Sequence, residues 1–149
     1  MKNIIKVMLL SGVLLALVSQ LAIADNIENH EFLYGYLAGH YIVIGKELDS
    51  EKTYYGKVVF SYEDERLIVM RDIQGQIVKG EGKIEHILGL DEANVLRVRF
   101  VQAGKKYEIT YLWRSDLDNY ARLSGYLYEP GKKTDKPGME VLFIDHTKK

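Results

Sequence analysis

Cysteine is absent from this chain. Its absence excludes two devices of small exported proteins: a disulfide framework, and a lipid-bearing cysteine just after a leader. Stability must come from packing and from β-ladder hydrogen bonds. Positive charge is not in excess either, with 20 Lys and Arg against 21 Asp and Glu. Binding nucleic-acid phosphates takes Lys and Arg clustered on one surface. Here both signs alternate along the chain, so a nucleic-acid partner is not expected, and Lys148-Lys149 reads as a solvated tail.

The signatures of catalysis and metal binding are missing as well. No Gly-x-Ser-x-Gly elbow occurs; Leu123-Ser124-Gly125 lacks the first glycine and falls in mid-strand. The histidines, His30, His40, His86 and His146, are scattered with no two at ligand spacing, so no zinc site is read. A single haem-ligating histidine has no positive support. Asp116-Leu117-Asp118-Asn119 lacks the Gly and terminal Glu of an EF-hand loop, and Glu63-Asp64-Glu65 sits where turn chemistry explains it. The expectation is a protein that is not an enzyme and needs no metal or cofactor. No internal repeat or low-complexity stretch is present.

What the chain does have begins at its N-terminus. Lys2 and Lys6 mark a charged start, Val7 to Val18 form an apolar run broken only by Ser11 and Gly12, and Ala22-Ile23-Ala24 follows. Small residues at 22 and 24 suit signal peptidase, which predicts a signal peptide over 1–24 and a mature chain starting at Asp25. The rival is an uncleaved anchor, but spanning a bilayer takes about 20 apolar residues, and Ser19-Gln20 end the run early. The protein is therefore expected in the periplasm or secreted, without a transmembrane anchor. Residues 25–149 are one domain's worth, enough to bury a core.

Asn26 to Ala38 reads as a short helical or irregular lead-in. From Gly39 onward, β-branched and aromatic runs alternate with Gly, Asp, Asn and Pro, the composition of an antiparallel sheet. Eight strands are predicted: Tyr41 to Leu48, Thr53 to Tyr62, Arg66 to Ile73, Gln76 to Ile87, Val95 to Gln102, Lys106 to Arg114, Tyr120 to Tyr128 and Met139 to Asp145. Ala103-Gly104-Lys105 forms a tight hairpin, and Glu129 to Gly138 is a loop rich in Gly, Lys and Pro. Short connections make sequential strands neighbours, an up-and-down meander. Closure into an all-β, eight-stranded barrel removes the unpaired edges. An open sandwich or flattened half-barrel is the competing arrangement.

Gly39-His40-Tyr41, at the start of the first strand after a short helix, resembles the G-x-W motif that opens lipocalins and their calycin relatives, with Tyr in place of Trp. The resemblance implies an eight-stranded barrel that holds a small ligand. It also implies that Tyr41 plugs the closed end against a basic residue beyond the last strand; Asp145-His146 and Lys148 stand there. Glycines within strands, at Gly56, Gly80, Gly82 and Gly125, suit the sharp bends of a small barrel.

Period-two alternation separates strand faces. Tyr107, Ile109, Tyr111 and Trp113 share one face of the sixth strand; Tyr120, Arg122, Ser124, Tyr126 and Tyr128 share one of the seventh. Turned inward, they line the barrel with ring area and hydroxyl tips, making Tyr107, Tyr111, Trp113, Arg122 and Tyr126 candidate ligand contacts and Arg122 an anchor for an anionic head group. Turned outward, they are ordinary strand aromatics, and the small and aliphatic set of the seventh strand is interior. Arg97 and Arg99 read as an outer face, because unpaired buried charge is costly. Two functions remain open. One is an exported carrier of a small hydrophobic or amphipathic molecule; the other is a protein-binding module, such as an inhibitor of a secreted hydrolase.

Overall fold

Alternation of apolar and polar residues from Gly39 onward builds strands, and their short turns force each strand back along its predecessor. The computed structural model describes residues 31–87, 93–113 and 121–148, without the side chains of 113, 121 and 122. It divides into two units, Met1–Tyr36 and Leu37–Lys149. Residues 31–37 are helical, within the expected lead-in. The predicted leader lies outside the described residues; no described helix is long and apolar enough to cross a membrane.

The strands are β1 (Gly39–Lys46), β2 (Thr53–Glu63), β3 (Arg66–Ile73), β4 (Gln76–Ile87), β5 (Ala93–Gln102), β6 (Lys105–Trp113), β7 (Ala121–Tyr128) and β8 (Gly138–Ile144). All neighbours pair antiparallel, and β1 also pairs with β8, from Tyr41 opposite Ile144 to Lys46 opposite Met139, which closes the barrel. The eight-stranded up-and-down barrel expected from the sequence is the observed fold; the open sandwich is not formed. Its architecture fits a calycin-like fold.

Three hairpins turn through two residues at positive φ: Asp64 and Glu65 (48° and 61°), Gln74 and Gly75 (53° and 85°), Ala103 and Gly104 (49° and 74°). Such turns match the twist of the strands they join. Asp64-Glu65 does so without glycine, in a backbone region that L side chains enter at a cost.

Inward residues form the core: Val43 of β1, Val58 of β2, Leu67 and Val69 of β3, Leu96 and Val98 of β5, Ile109 of β6, Leu123 of β7 and Leu142 of β8 are all buried. The outer wall over β4 to β6 is charged. Arg97 and Arg99 point outward as expected, pairing with Glu85 and with Glu108, which also accepts from the Tyr128 hydroxyl. Burial alone would raise the Glu108 carboxyl, but Tyr128 and the two arginines outweigh it and hold it below its ordinary range.

At the end of the barrel where β1 starts, Tyr41 is buried, its hydroxyl donates to the Leu37 carbonyl at 2.8 Å, and its ring meets Phe60 with centroids 5.2 Å apart. Tyr41 thus lies buried at that end, with Leu37 and Phe60 among its partners. The other end, with the β1–β2, β3–β4, β5–β6 and β7–β8 connections, is open.

Candidate functional site

The open end leads to a cavity of about 360 Å³. Its walls follow from strand parity, because inward positions near the ends of β3, β5 and β7 and the starts of β4 and β6 converge there. Ile73, Phe100, Tyr107 and Leu127 supply apolar wall, Leu48 and Ala103 extend it at the loops, and Gln74, Gln76, Gln102 and Glu47 form a polar rim. Phe100 and Tyr107 sit opposite each other in the β5–β6 register and stack, with centroids 5.4 Å apart and planes 22° from parallel. Gln102 Nε2 donates to Gln76 Oε1 at 2.8 Å, so the rim is partly pre-ordered.

Arg71 and Tyr54 also line the cavity, and both are buried. They belong to a polar network that the strand register builds. Gly45 of β1 pairs with Tyr54 on one side and Glu140 on the other; Gly125 of β7 pairs with Tyr111 on one side and Glu140 on the other. A single row across five strands therefore reads Tyr54, Gly45, Glu140, Gly125, Tyr111. Each tyrosine reaches over a glycine to donate its hydroxyl to Glu140, Tyr54 to Oε1 and Tyr111 to Oε2. The glycines are required by space. A Cβ on Gly45 would stand 2.6 Å from Tyr54 Cε2, and one on Gly125 would stand 2.7 Å from Tyr111 Cδ1.

Arg71 completes the network from β3. Its Nη1 donates to Glu140 Oε2 at 3.0 Å and to the Tyr111 hydroxyl at 3.4 Å, and its Nη2 to Glu140 Oε1. The guanidinium also lies over the Phe100 ring, 4.7 Å from its centroid. The two side chains are 4% and 0% exposed, a buried ion pair. Burial by itself would push the Glu140 carboxyl up, but the Arg71 charge and the hydrogen bonds from Arg71, Tyr111 and Tyr54 prevail and hold it low. Burial and the Glu140 charge push both tyrosine hydroxyls well up. At neutral pH the network is thus one cation, one anion and two neutral phenols.

Of the residues expected to bind ligand, Tyr107 lines the cavity and Tyr111 is buried inward in the network. Trp113 ends β6 and Arg122 lies in β7, but their side chains are outside the described residues. Tyr126 corrects the expected inner wall: it points outward and is 55% exposed. The two alternative readings of the aromatic faces divide between strands. In β6 Tyr107, Ile109 and Tyr111 are interior; in β7 the interior set is Leu123, Gly125 and Leu127, because Tyr111 needs a glycine beside it. A register shift between Ala121 and Leu123 adjusts the start of β7.

Arg71, Glu140, Tyr54 and Phe100 were not singled out from the sequence. A signal existed, since Arg71 occupies the apolar parity of Leu67, Val69 and Ile73, and Glu140 that of Leu142. Among the described residues no three histidine or acidic side chains gather as a metal site requires. Comparison with family models, curated proteins and solved structures finds no match to this chain.

Proposed function

We propose that this is an exported binding protein, not an enzyme, which carries one small amphipathic molecule in the mouth of its barrel in the periplasm or outside the cell. One observation carries the reading: a cavity of about 360 Å³ runs from the open rim to Arg71 and Tyr54. That volume lies within the roughly 300–1,000 Å³ of small-molecule sites, and a few polar groups converging in an apolar concavity are what such sites share. The Gly39-His40-Tyr41 start and the leader-like N-terminus support the carrier and export parts of the reading.

Native mass spectrometry of the protein recovered from its producing cells tests it. A small-molecule adduct is expected, and it should be lost in Gln76→Trp, which places an indole at the exposed rim. Recovery with a polypeptide partner and no small molecule would overturn the carrier in favour of the protein-binding module.

A further inference from the structure

The cavity is lined in part by an arginine, Arg71. Arginine commonly marks a site for carboxylate or phosphate, through paired N–H groups and net positive charge. Arg71 has already committed both. Its charge is balanced by Glu140, and three of its N–H bonds go to Glu140 and Tyr111. Glu140 is itself saturated, with two bonds from Arg71 and one from each tyrosine. The floor is therefore electrically neutral. The only other charged residue in the lining is Glu47 at the rim, which makes no ion pair among the described residues.

The remaining hydrogen-bonding capacity is two-sided. A guanidinium carries five N–H donors, of which three go to Glu140 and Tyr111; Arg71 also shares a hydrogen bond with the Tyr54 hydroxyl, whose oxygen has a second lone pair with which to accept. At the rim, Gln102 keeps its amide oxygen and Gln76 its amide N–H groups after their mutual bond. Floor and rim both present a donor next to an acceptor.

Resting on the reading of the mouth as a ligand site, we propose that it selects an uncharged ligand bearing an adjacent acceptor and donor, as in a carboxamide or lactam, and discriminates against carboxylates. A carboxylate entering would shed water and find a floor without net positive charge, with Glu47 at the rim repelling it. A neutral amide accepts from Arg71 and donates to Tyr54, while its apolar body lies along Phe100, Tyr107 and Leu127.

The test uses a matched pair, 4-phenylbutanamide and 4-phenylbutanoate, titrated into the ¹⁵N-labelled protein while the amide signals of Gln74, Gln102 and Ala103 are followed. The amide should bind about tenfold or more tightly than the acid, the scale set by desolvating a charge without a counter-charge. Glu47→Gln, at an exposed position, should narrow the preference for the amide over the acid by about threefold, as expected for a partly screened charge. Acid binding as well as or better than amide, with these signals shifting, overturns the selectivity and leaves the mouth as a ligand site. Shifts from neither probe overturn the ligand-site reading itself.

Discussion

Glu140→Gln replaces the acceptor of the whole network with a side chain of the same shape. Glu140 receives Arg71 on both carboxylate oxygens and a tyrosine hydroxyl on each. The carboxamide keeps one acceptor oxygen, turns the other position into a donor facing donors, and removes the negative charge paired with a guanidinium that is 4% exposed. Removing one partner of a buried pair leaves an uncompensated charge and costs about 3–5 kcal/mol. Set against a total of about 5–15 kcal/mol for a domain, that is a large fraction, equivalent to a fall in Tm of roughly 10–20 °C at this chain length. Urea titration followed by far-ultraviolet circular dichroism measures it. Adding Arg71→Met in the same chain removes the stranded charge and should recover about 1–3 kcal/mol, the coupling expected of contacting residues. A loss below about 1 kcal/mol for Glu140→Gln, or a double variant no more stable than the single one, would refute the account of Glu140 as the network's counter-charge.

The same groups set the pH dependence. Glu140 and Glu108 are held below the ordinary carboxylate range, so their contribution is present above the unfolded value near 4.3 and is lost as pH falls further, whereas Tyr54 and Tyr111, pushed up, contribute below about pH 10 and lose that contribution as pH rises beyond it. The urea midpoint should fall at both extremes, and a midpoint rising below about pH 4 would contradict the acid limb. Gly125→Ala drives a methyl group to 2.7 Å from Tyr111 Cδ1 and against the Thr110 carbonyl, and should cost about 1–3 kcal/mol by overpacking, read from the same titration. Glu65→Gly relieves a φ of 61° and should add about 1 kcal/mol, seen as a raised Tm; no gain would show that the turn carries no strain. Intact-mass analysis of exported material should give a chain beginning at Asp25, and retention of Met1 would refute the leader.

Much of the barrel is legible in the sequence alone. β3 and β4 have the bounds their composition predicts, and the other strands differ from expectation by no more than two residues at either end. Such patterns are local: alternation and turn chemistry are written in adjacent residues. The largest displacement, in β1, has a non-local cause. Expected over Tyr41 to Leu48, it spans Gly39 to Lys46 because Gly39 already pairs with Phe60, and the chain turns away after Lys46 through Asp49 at a φ of 53°. Which face of β7 turns inward stays open in the sequence for the same kind of reason. Whether Tyr126 or Gly125 faces inward depends on Tyr111, a residue of the preceding strand that needs the space above the glycine.

The charged floor of the cavity shows where a rule sound for single residues misleads. An arginine without a counter-charge is excluded from a core by its desolvation cost, and on that ground Arg97 and Arg99 read as outer-wall residues, which they are. Arg71 escapes because Glu140, 69 residues away along the chain, escapes with it. Each interrupts an apolar parity, Arg71 between Val69 and Ile73 and Glu140 before Leu142. Read separately, each violation argues against burial; read together, with opposite signs, they argue for a pair inside the wall. The flanking glycines strengthen that argument, since Gly45 and Gly125 occupy the same interior row and leave room for two phenols to saturate the carboxylate. With the Arg71 charge balanced and the Glu140 oxygens filled, the pair brings no net charge to the floor of the cavity.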